Sequence, residues 1–262
     1  NFREIHLGGG SPTYPKPAEF DQLVEKLSQI VDMHELDEFA IEIDPRRVKL
    51  DRMLYYKQKG INRISFGIQD FDPEVQKAVN RVQPANLTER LLTPEVREMF
   101  ANGVNFDILC GLPHQTRETF RSTMHEVVRL SPDRICVNYM HMSPQFNPHQ
   151  LDMPADTIPD QFTKKEMFLE AVEILISGGY LRTGYDHFAK ADDPVAKAML
   201  AGEMQWNRLG VTTGRYTSTI ALGVSGTGTL GDGFYYQNVY DIPNYQAAID
   251  RNEFPIGLAH RL

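Results

Sequence analysis

Residues 4–13, EIHLGGGSPT, place three consecutive glycines directly after a short apolar segment. Glycines let a backbone approach a ligand closely, and their N–H groups can bind carboxylates or other anions. The run lacks the Gly-Lys-Ser/Thr ending of a Walker loop and the spaced glycines of the dinucleotide fingerprint. From these residues alone, a plain tight turn and a ligand-binding loop both remain open.

The order of strand and then helix repeats along the following residues. Short apolar runs bounded by Gly, Pro or charged residues predict buried strands at Glu4–Gly8, Phe39–Ile43, Arg63–Ile68, Asn105–Cys110 and Arg134–Met140. Amphipathic segments predict helices at Ala18–Met33, Asp51–Lys59, Pro73–Asn80, Thr93–Ala101 and Arg117–Leu130. This alternation predicts a parallel sheet with right-handed crossovers.

Local signals refine these elements. The first predicted helix carries one apolar stripe, made of Phe20, Leu23, Val24, Leu27, Ile30 and Val31. Gly60 followed by Ile61 predicts a helix C-cap with its hydrophobic contact. Farther along, we expect a long helix at Asp160–Ser177, an added strand at Tyr180–Phe188, and loop with an antiparallel hairpin at Thr213–Gly233.

Composition limits the classes of partner. With 27 Lys and Arg against 35 Asp and Glu, the net charge is −8, so we expect no nucleic-acid partner, since such binders need a basic surface. No run approaches 18 apolar residues and the first residues are not a basic leader, so we expect no transmembrane helix, membrane partner or signal peptide. Two cysteines, Cys110 and Cys136, cannot alone hold an iron–sulfur cluster and predict core thiols in a cytoplasmic protein.

Polar side chains lie in or directly after several predicted strands. Glu42 interrupts an apolar run, where an unpaired carboxylate is costly to bury; Gln69 ends the next strand and Asp107 lies within the one after. Polar residues on successive buried strands predict one polar ligand at the carboxyl ends of the strands. Arg81 follows a short helix and could pair with a carboxylate. The alternatives are a solvent-facing edge position for Glu42 and an exposed helix-end role for Arg81.

A second polar group lies at Tyr185-Asp186-His187-Phe188, with Tyr139 and His141 earlier in the chain. Histidine beside aspartate suggests acid–base chemistry, but neighbouring residues on a strand point to opposite faces, so the two are not a ready dyad. A metal site is not indicated, because no other His or Cys lies at a metal-ligand spacing from His187. We therefore expect His187 to be structural.

Taken together, these segments resemble radical S-adenosylmethionine (SAM) enzymes of the oxygen-independent coproporphyrinogen III oxidase type. The run IHLGGGSPTY at 5–14 resembles their GGGTPT motif. The same order continues with IEIDP at 41–45, NRISFGIQDF at 62–71, VNR at 79–81, FDILCGLP at 106–113, YDHFA at 185–189 and LGVS at 222–225. The YDHFA and QDF sequences favour the oxidase branch over the haem-chaperone branch.

The resemblance implies an α/β fold, a partial (β/α)6 radical-SAM-type barrel of parallel strands with a C-terminal β and loop extension. It also implies that SAM lies across the carboxyl ends of the strands. By motif position, one or two SAM molecules would contact Gly9, Gly10, Ser11, Glu42, Gln69, Arg81 and Asp107, with Met140 and Thr227 near them. The amino group of SAM would account for Glu42 and Asp107, and its carboxylate for Arg81 and the glycine amides.

One part of the family pattern is missing. The Cys-x-x-x-Cys-x-x-Cys loop that binds a [4Fe–4S] cluster lies upstream of the GGG motif in the family, and this chain has seven residues before that motif. Family members also continue into a C-terminal helical domain. We therefore expect residues 1–262 to be a single radical SAM core domain from a longer protein that also holds the cluster. A relative without the cluster is the alternative.

The resemblance also implies an oxidoreductase of porphyrin and haem biosynthesis. In the leading hypothesis, SAM and the cluster generate a radical, and coproporphyrinogen III is oxidatively decarboxylated to protoporphyrinogen IX. An electron donor protein would be a partner, and Arg182, Arg208 and Arg215 are candidates to bind the acidic substrate.

Two other functions remain open at this point. One is a haem-binding chaperone with His141, His187 or Tyr185 as axial ligand. The other is a radical SAM paralogue that modifies haem.

Overall fold

Seven strands of the described residues form one sheet. This computed structural model describes residues 1–145, 147–207, 210–214, 216 and 218–261. The strands of the sheet are β1 (Glu4–Leu7), β2 (Glu38–Ile43), β3 (Arg63–Gln69), β4 (Val104–Cys110), β5 (Arg134–Tyr139), β6 (Leu181–Arg182) and β7 (His187–Ala189). The order in the sheet is β1-β2-β3-β4-β5-β7-β6, and strands β1 to β5 pair with one another in parallel. The five strands predicted in the first half of the chain are thus confirmed, as is the mostly parallel α/β fold.

Nine helices connect or flank the described strands. They are α1 (Pro17–Ser28), α2 (Leu50–Gln58), α3 (Pro73–Ala78), α4 (Ala85–Glu89), α5 (Pro94–Met99), α6 (Arg117–Leu130), α7 (Gln161–Ser177), α8 (Pro194–Leu200) and α9 (Ile242–Asp250). Short 3-10 helices lie at Pro148–Asp152 and Ala155–Thr157. Asp72, Thr93, Thr116 and Asp160 cap helices by accepting hydrogen bonds from free backbone N–H groups of the first turn.

Helix α2 ends as its sequence predicts. Gly60 has a φ of +93°, a left-handed conformation that glycine adopts without steric cost. The Ile61 N–H donates to the Tyr56 carbonyl at 3.2 Å, and the Ile61 side chain is fully buried. This is the hydrogen-bonded end with a hydrophobic contact that was expected of Gly60 and Ile61.

Helix α1 is shorter than predicted. It ends at Ser28, and the N–H groups of Ile30 and Val31 both donate to the Leu27 carbonyl in a tight turn. The turn buries Val31 but leaves Ile30 66% exposed, so these two residues do not continue one helical stripe. Leu23 is also exposed, so the buried face of α1 is narrower than its apolar pattern suggests.

The two faces of the sheet differ because successive side chains along a strand alternate in direction. One face packs against helices: Ile41, Ile64 and Phe106 are fully buried in a core with Phe20 of α1 and Phe120 of α6. The opposite face, called the inner face below, carries the alternate residues, many of them polar. The core therefore fixes the strands, and the inner face is available for chemistry.

The expected added strand at Tyr180–Phe188 is instead two short strands. β7 pairs antiparallel with β5 on one side and with β6 on the other. Residues 183–186 connect β6 to β7. The Arg182 side chain donates to the Gly184 and Tyr185 carbonyls and so stabilises the turn. The sixth position of the predicted parallel barrel is thus filled by an antiparallel strand, because a short hairpin after α7 reverses the chain.

The chain divides into two compact units, Asn1–Ala196 and Lys197–Leu262. In the second unit, β8 (Gln205–Asn207) and β9 (Gly210–Thr212) form an antiparallel pair. β10 (Thr227–Leu230), β11 (Phe234–Asn238) and β12 (Ile256–Arg261) form an antiparallel sheet. The predicted hairpin is therefore present, although its second strand begins just after Gly233. A single domain over residues 1–262 stays a prediction.

Helix length and apolarity also bear on membrane insertion. Among the described residues, no helix is both long enough and apolar enough to cross a membrane.

Candidate functional site

Glu42 lies near the end of β2 on the inner face, beneath the glycine loop. The Gly9 N–H donates to Glu42 Oε2 at 3.1 Å, and His6 Nε2 lies 3.1 Å from Glu42 Oε1. Burial alone would raise the pKa of Glu42, but the hydrogen bonds from His6 and Gly9, with the charges of His6 and Arg63, hold it below its usual value. Because 42% of its side chain is exposed, Glu42 is a carboxylate that a ligand can reach.

The glycine loop is shaped around this carboxylate. A Cβ on Gly8 would lie 2.6 Å from Glu42 Oε1 and 2.7 Å from His6 Nε2, so a side chain there would displace the pair. Gly9 and Gly10 have φ values of +72° and +52°, and a Cβ on either would meet nothing within 4 Å. Gly9, Gly10 and Ser11 are all exposed. The loop therefore leaves open space above Glu42.

Asp107, in the middle of β4, is the second inner-face carboxyl group. Ser65 Oγ donates to its Oδ2 at 2.7 Å, and Asn105 Nδ2 donates to its Oδ1 at 2.9 Å. Burial raises the pKa of Asp107 and the charge of Glu42 adds to that effect, while Ser65 and Asn105 oppose it. Asp107 thus has only neutral hydrogen-bond donors among the described contacts, and a cationic ligand group would stabilise its ionised form.

Gln69 and Arg81 meet at the end of β3. The strand register shifts between Gly67 and Gln69, and Gln69 has a φ of 68°, which is uncommon for a residue with a side chain. Arg81 Nη2 donates to the Gly67 carbonyl at 2.8 Å and lies 3.9 Å from Asp44 Oδ1. A Cβ on Gly67 would come within 2.9 Å of both Arg81 Nη2 and Gln69 Nε2. Glycine at 67 therefore lets both side chains lie over the strand end.

Strand register brings these groups together. We call Glu42, Gln69, Arg81 and Asp107 the carboxyl-end cluster. Ser65 is the register partner of Glu42 and donates to Asp107, and Gly67, the register partner of Asp107, accepts from Arg81. Arg81 Nε is buried without a hydrogen-bond partner among the described residues. The cluster offers acceptors for a cation and a guanidinium for an anion at neighbouring positions.

Two further predicted residues, Met140 and Thr227, have contacts of their own. Met140 is 6% exposed and packs with Val75 and Leu112. Thr227 begins β10 in the second unit, where Gln237 Nε2 donates to its Oγ1 at 3.5 Å. For all nine predicted residues, contact with SAM stays a prediction.

Four side chains that position the cluster were missed from the sequence. His6 holds Glu42, Ser65 and Asn105 hold Asp107, and Asp44 is the carboxylate beside Arg81. The sequence signal that could have found them is the alternation of polar and apolar residues along a strand. These polar residues alternate with apolar ones along their strands or directly after them, which places them on one face.

An ion-paired group lies at the opposite end of the same face. We call Glu38, Arg63, Arg134 and Asp193 the amino-end cluster. Glu38 accepts from Arg63 at 2.7 Å and from Arg134 at 3.1 Å, and Arg134 donates to both Asp193 oxygens at 2.9 Å. Burial opposes ionisation of Glu38, but the two arginines lower its pKa to about 2. This cluster satisfies its own charges and ties β2, β3 and β5 together.

The expectation that Asp186 and His187 do not meet is wrong. Asp186 Oδ1 lies 2.6 Å from His187 Nδ1, because Asp186 belongs to the turn before β7 and does not follow strand alternation. Cys136 Sγ lies 3.9 Å from the same nitrogen, so the histidine also has the cysteine companion that its sequence spacing concealed. Both Cys110 and Cys136 are free and buried, as predicted.

The candidate substrate arginines have different outcomes. Arg182 is exposed and lies over the rings of Phe168 and Tyr185, which stack at 5.3 Å between centroids. Arg208 and Arg215 lie outside the described residues.

Comparisons with known proteins give a consistent set of relatives. The model of the Radical SAM superfamily matches residues 1–127. Oxygen-independent coproporphyrinogen III oxidase from Pseudomonas aeruginosa is 39% identical over 256 residues, which are 97% of this chain and 55% of that protein. The proteins of the same name from Helicobacter pylori and Escherichia coli are 35% and 36% identical, over 97% and 94% of this chain and 55% and 54% of their own lengths.

A solved structure extends this likeness to the fold. Coproporphyrinogen III oxidase (HemN) from Escherichia coli, a radical SAM enzyme, matches with a TM-score of 0.91 and 33% identity. The match covers 99% of this chain and 59% of that chain. The present chain thus spans little more than half the length of the relatives it matches.

Proposed function

Since this chain belongs to the oxygen-independent coproporphyrinogen III oxidase family of radical SAM enzymes, we propose that the protein decarboxylates coproporphyrinogen III oxidatively to protoporphyrinogen IX. The cofactors of this family are SAM and a [4Fe–4S] cluster. The observation that carries the proposal is the carboxyl-end cluster, which sets two carboxyl groups and a guanidinium at the strand ends beside an open glycine loop. SAM has a complementary ammonium and carboxylate at its methionine end.

The residues of this chain would divide the binding of SAM between them. Glu42 would accept from the ammonium group, since it is ionised and half exposed. Arg81 would bind the carboxylate through its guanidinium, together with the Gly10 N–H group, while Gly9 would keep its hydrogen bond to Glu42. Asp107 and Gln69 would accept from and donate to further polar groups of a first or second SAM, with Ser11 and Met140 nearby. When bound, SAM supplies the radical chemistry of the family.

Two glycines test whether the site fits such a ligand. A Cβ at Gly8 would push against Glu42 and His6, and a Cβ at Gly67 against Arg81 and Gln69. Both positions keep polar side chains directed over the strand ends instead of filling that space. This is the arrangement that a bound zwitterion requires, and the residues fit SAM.

The residues of this chain do not fit the iron–sulfur cluster. A [4Fe–4S] cluster is held by several cysteine thiolates, and the two cysteines here lie on the strands β4 and β5, both buried. Cys110 faces the helix-packed core and Cys136 faces the inner side. The cluster ligands of the family have no counterpart among these 262 residues.

The remaining parts of the proposal concern substrate, partner and location. The substrate carries four carboxylates, so its binding to an acidic protein requires local cations, and Arg182 is an exposed candidate. We further propose an electron donor protein as partner, no partner of nucleic acid or membrane, and a cytoplasmic location. The net charge of −8 supports the proposal that nucleic acid is not a partner.

Calorimetric titration with SAM tests the site. Glu42→Gln should weaken SAM binding by about 1–3 kcal/mol, because an ammonium group would lose its charged acceptor. Glu25→Gln, on the exposed surface of α1, is the matched control and should bind as the unaltered protein does. Equal affinity of Glu42→Gln and the control would refute the assignment of Glu42.

Product analysis tests the reaction itself. A longer protein that contains these residues together with the cluster-binding cysteines, reconstituted and supplied anaerobically with reductant, SAM and coproporphyrinogen III, should yield a product lacking two carboxyl groups by mass spectrometry. Transfer of a methyl group to haem would instead identify a haem-modifying paralogue. A sharp Soret band on haem titration that is lost in His187→Ala would identify a haem carrier.

A further inference from the structure

Three ligand-type side chains converge near the edge of the inner face. Cys136 Sγ, His187 Nδ1 and a carboxylate oxygen of Asp186 all lie within 4.8 Å of one another. The sulfur is 3.9 Å and the carboxylate oxygen 2.6 Å from the histidine nitrogen. None of the three belongs to the carboxyl-end cluster or to the amino-end cluster.

The fold holds these residues in place through the backbone. Cys136 of β5 and His187 of β7 are register partners in an antiparallel pair. The Val137 N–H donates to the Asp186 carbonyl at 2.8 Å, which extends the same pairing into the turn. The three side chains therefore start from fixed backbone positions, and bringing them to one ligand costs little conformational entropy.

The geometry does not suit a proton relay. In a Cys–His–Asp relay, the acid holds one ring nitrogen and the thiol approaches the other. Here both Cys136 and Asp186 approach Nδ1 of His187, so the three donor atoms are grouped at one point, on the Nδ1 side of the ring. A single atom with affinity for sulfur, nitrogen and oxygen at that point would contact all of them.

Two of the three separations lie within about 1 Å of those in a zinc site, and the third, between sulfur and oxygen, is at most 4.8 Å. Zinc binds sulfur at about 2.3 Å and nitrogen or oxygen at about 2.0–2.2 Å, so tetrahedral ligands lie roughly 3.3–3.6 Å apart. The observed sulfur–nitrogen separation of 3.9 Å needs a slight closure. The nitrogen–oxygen separation of 2.6 Å needs to open by less than about 1 Å. Side-chain rotation supplies changes of this size without moving the strands.

The local charge also favours a cation. Asp107 on β4 is the register partner of Cys136, and Asp186 pairs with His187, so two carboxyl groups lie near the Cys136 sulfur. A bound dication would offset both carboxylates and take the place of the thiol proton. The Asp186 and His187 side chains are 17% and 18% exposed, so an ion can enter from solvent.

From these observations we propose that Cys136, Asp186 and His187 form a binding site for a divalent metal of zinc type, with water in the fourth position. Sulfur, imidazole and carboxylate donors together suit Zn²⁺ better than Mg²⁺ or Ca²⁺, which prefer oxygen. The metal would join β7 to β5 and would lie beside Asp107. The site stands independently of the proposed oxidase activity.

Competition for Zn²⁺ with a chromogenic chelator tests this site directly. The chain should bind one Zn²⁺, and Cys136→Ser and His187→Gln should each weaken binding by at least about tenfold, since even loss of an outer partner of a metal ligand costs that much. Cys110→Ser is the matched control: Cys110 is also a buried strand cysteine, but its sulfur lies near the Lys164 carbonyl, and it should bind Zn²⁺ normally. Absence of a stoichiometric site, or equal binding by Cys136→Ser, would overturn the proposal.

Co²⁺ provides a readout that does not depend on the stability of Cys136→Ser. Cobalt bound to a thiolate absorbs intensely in the near ultraviolet, and this chain has two cysteines. The band should therefore be present in Cys110→Ser, where Cys136 is the one remaining thiol. Its absence there, with the protein folded by circular dichroism, would also overturn the proposal.

Discussion

At the two ends of the inner face, a glutamate side chain has different burial and different hydrogen-bond partners. Glu38 and Glu42 lie on one strand and one face, four residues apart. Glu38 is 13% exposed and held by two arginines, whereas Glu42 is 42% exposed and held by a histidine and a backbone N–H. Glu38 therefore contributes to stability, and Glu42 retains capacity for a ligand.

This division follows the general plan of parallel strand–helix proteins. Their active sites lie at the carboxyl ends of the strands, and the amino ends serve stability. Here the amino-end cluster pairs four charged side chains with one another, while in the carboxyl-end cluster Asp107 has neutral donors and Arg81 Nη2 lies 3.9 Å from Asp44 Oδ1. The comparison predicts that substitutions at the two ends affect different measurements.

The largest effect is expected from Arg134→Met. The change leaves Asp193 buried without its arginine and removes one partner of Glu38, so the free energy of unfolding should fall by about 3–5 kcal/mol. Denaturant unfolding measures the loss. Arg129→Met is the control, since Arg129 makes surface ion pairs on α6 and should cost less than about 1 kcal/mol. Similar losses in both variants would contradict the structural role of the amino-end cluster.

A smaller, pH-dependent effect is expected from Glu38→Gln. The folded pKa of Glu38 is about 2 against an ordinary value of 4.5, so its contribution is fully present above pH 4.5 and is lost as pH falls toward 2. This shift corresponds to about 3 kcal/mol. The difference in unfolding free energy between the unaltered protein and Glu38→Gln should therefore narrow from about pH 6 to about pH 3. A difference that stays constant with pH would show that the arginines do not stabilise this carboxylate.

The smallest effect, of opposite sign, is expected from Asp107→Asn. The pKa of Asp107 is raised, so the protonated form is favoured in the folded state and stability from this group is lost as pH rises above 3.8. Asp107→Asn removes that loss and should be as stable as the unaltered protein or more so near neutral pH, within about 1 kcal/mol. Its advantage should grow with rising pH in thermal or denaturant unfolding. If Asp107→Asn instead lost stability relative to the unaltered protein as pH rises, the two ends of the inner face would not differ in how pH affects their carboxyl groups.

The sequence predicted most of the fold because the signals for it are local. The apolar runs of β1 to β5 and the helix signals around Gly60 depend on neighbours in the chain, and the structure agrees with them. The prediction failed where a distant contact overrides the local pattern. The end of α1 is one case, since the tight turn after Ser28 carries Val31 into the core.

Candidate site residues divide in the same way. The sequence allowed selection of Glu42, Gln69, Arg81 and Asp107, because burying a polar residue within or after a strand costs free energy unless hydrogen bonds, ion pairs or a ligand compensate it. The side chains that hydrogen-bond to them, such as His6 and Ser65, could not be assigned. Strand register decides which polar residues of neighbouring strands lie next to each other.

The sequence by itself determined which segments become strands and helices, and which polar residues share the inner face, since both depend on short-range periodicity and turn chemistry. Only the tertiary structure decided that β7 lies between β5 and β6 and runs antiparallel to both, and that Cys136, Asp186 and His187 converge. The reason is physical: pairing between strands some fifty residues apart is selected by the packing and hydrogen bonding of the whole sheet, and no local stretch carries that information.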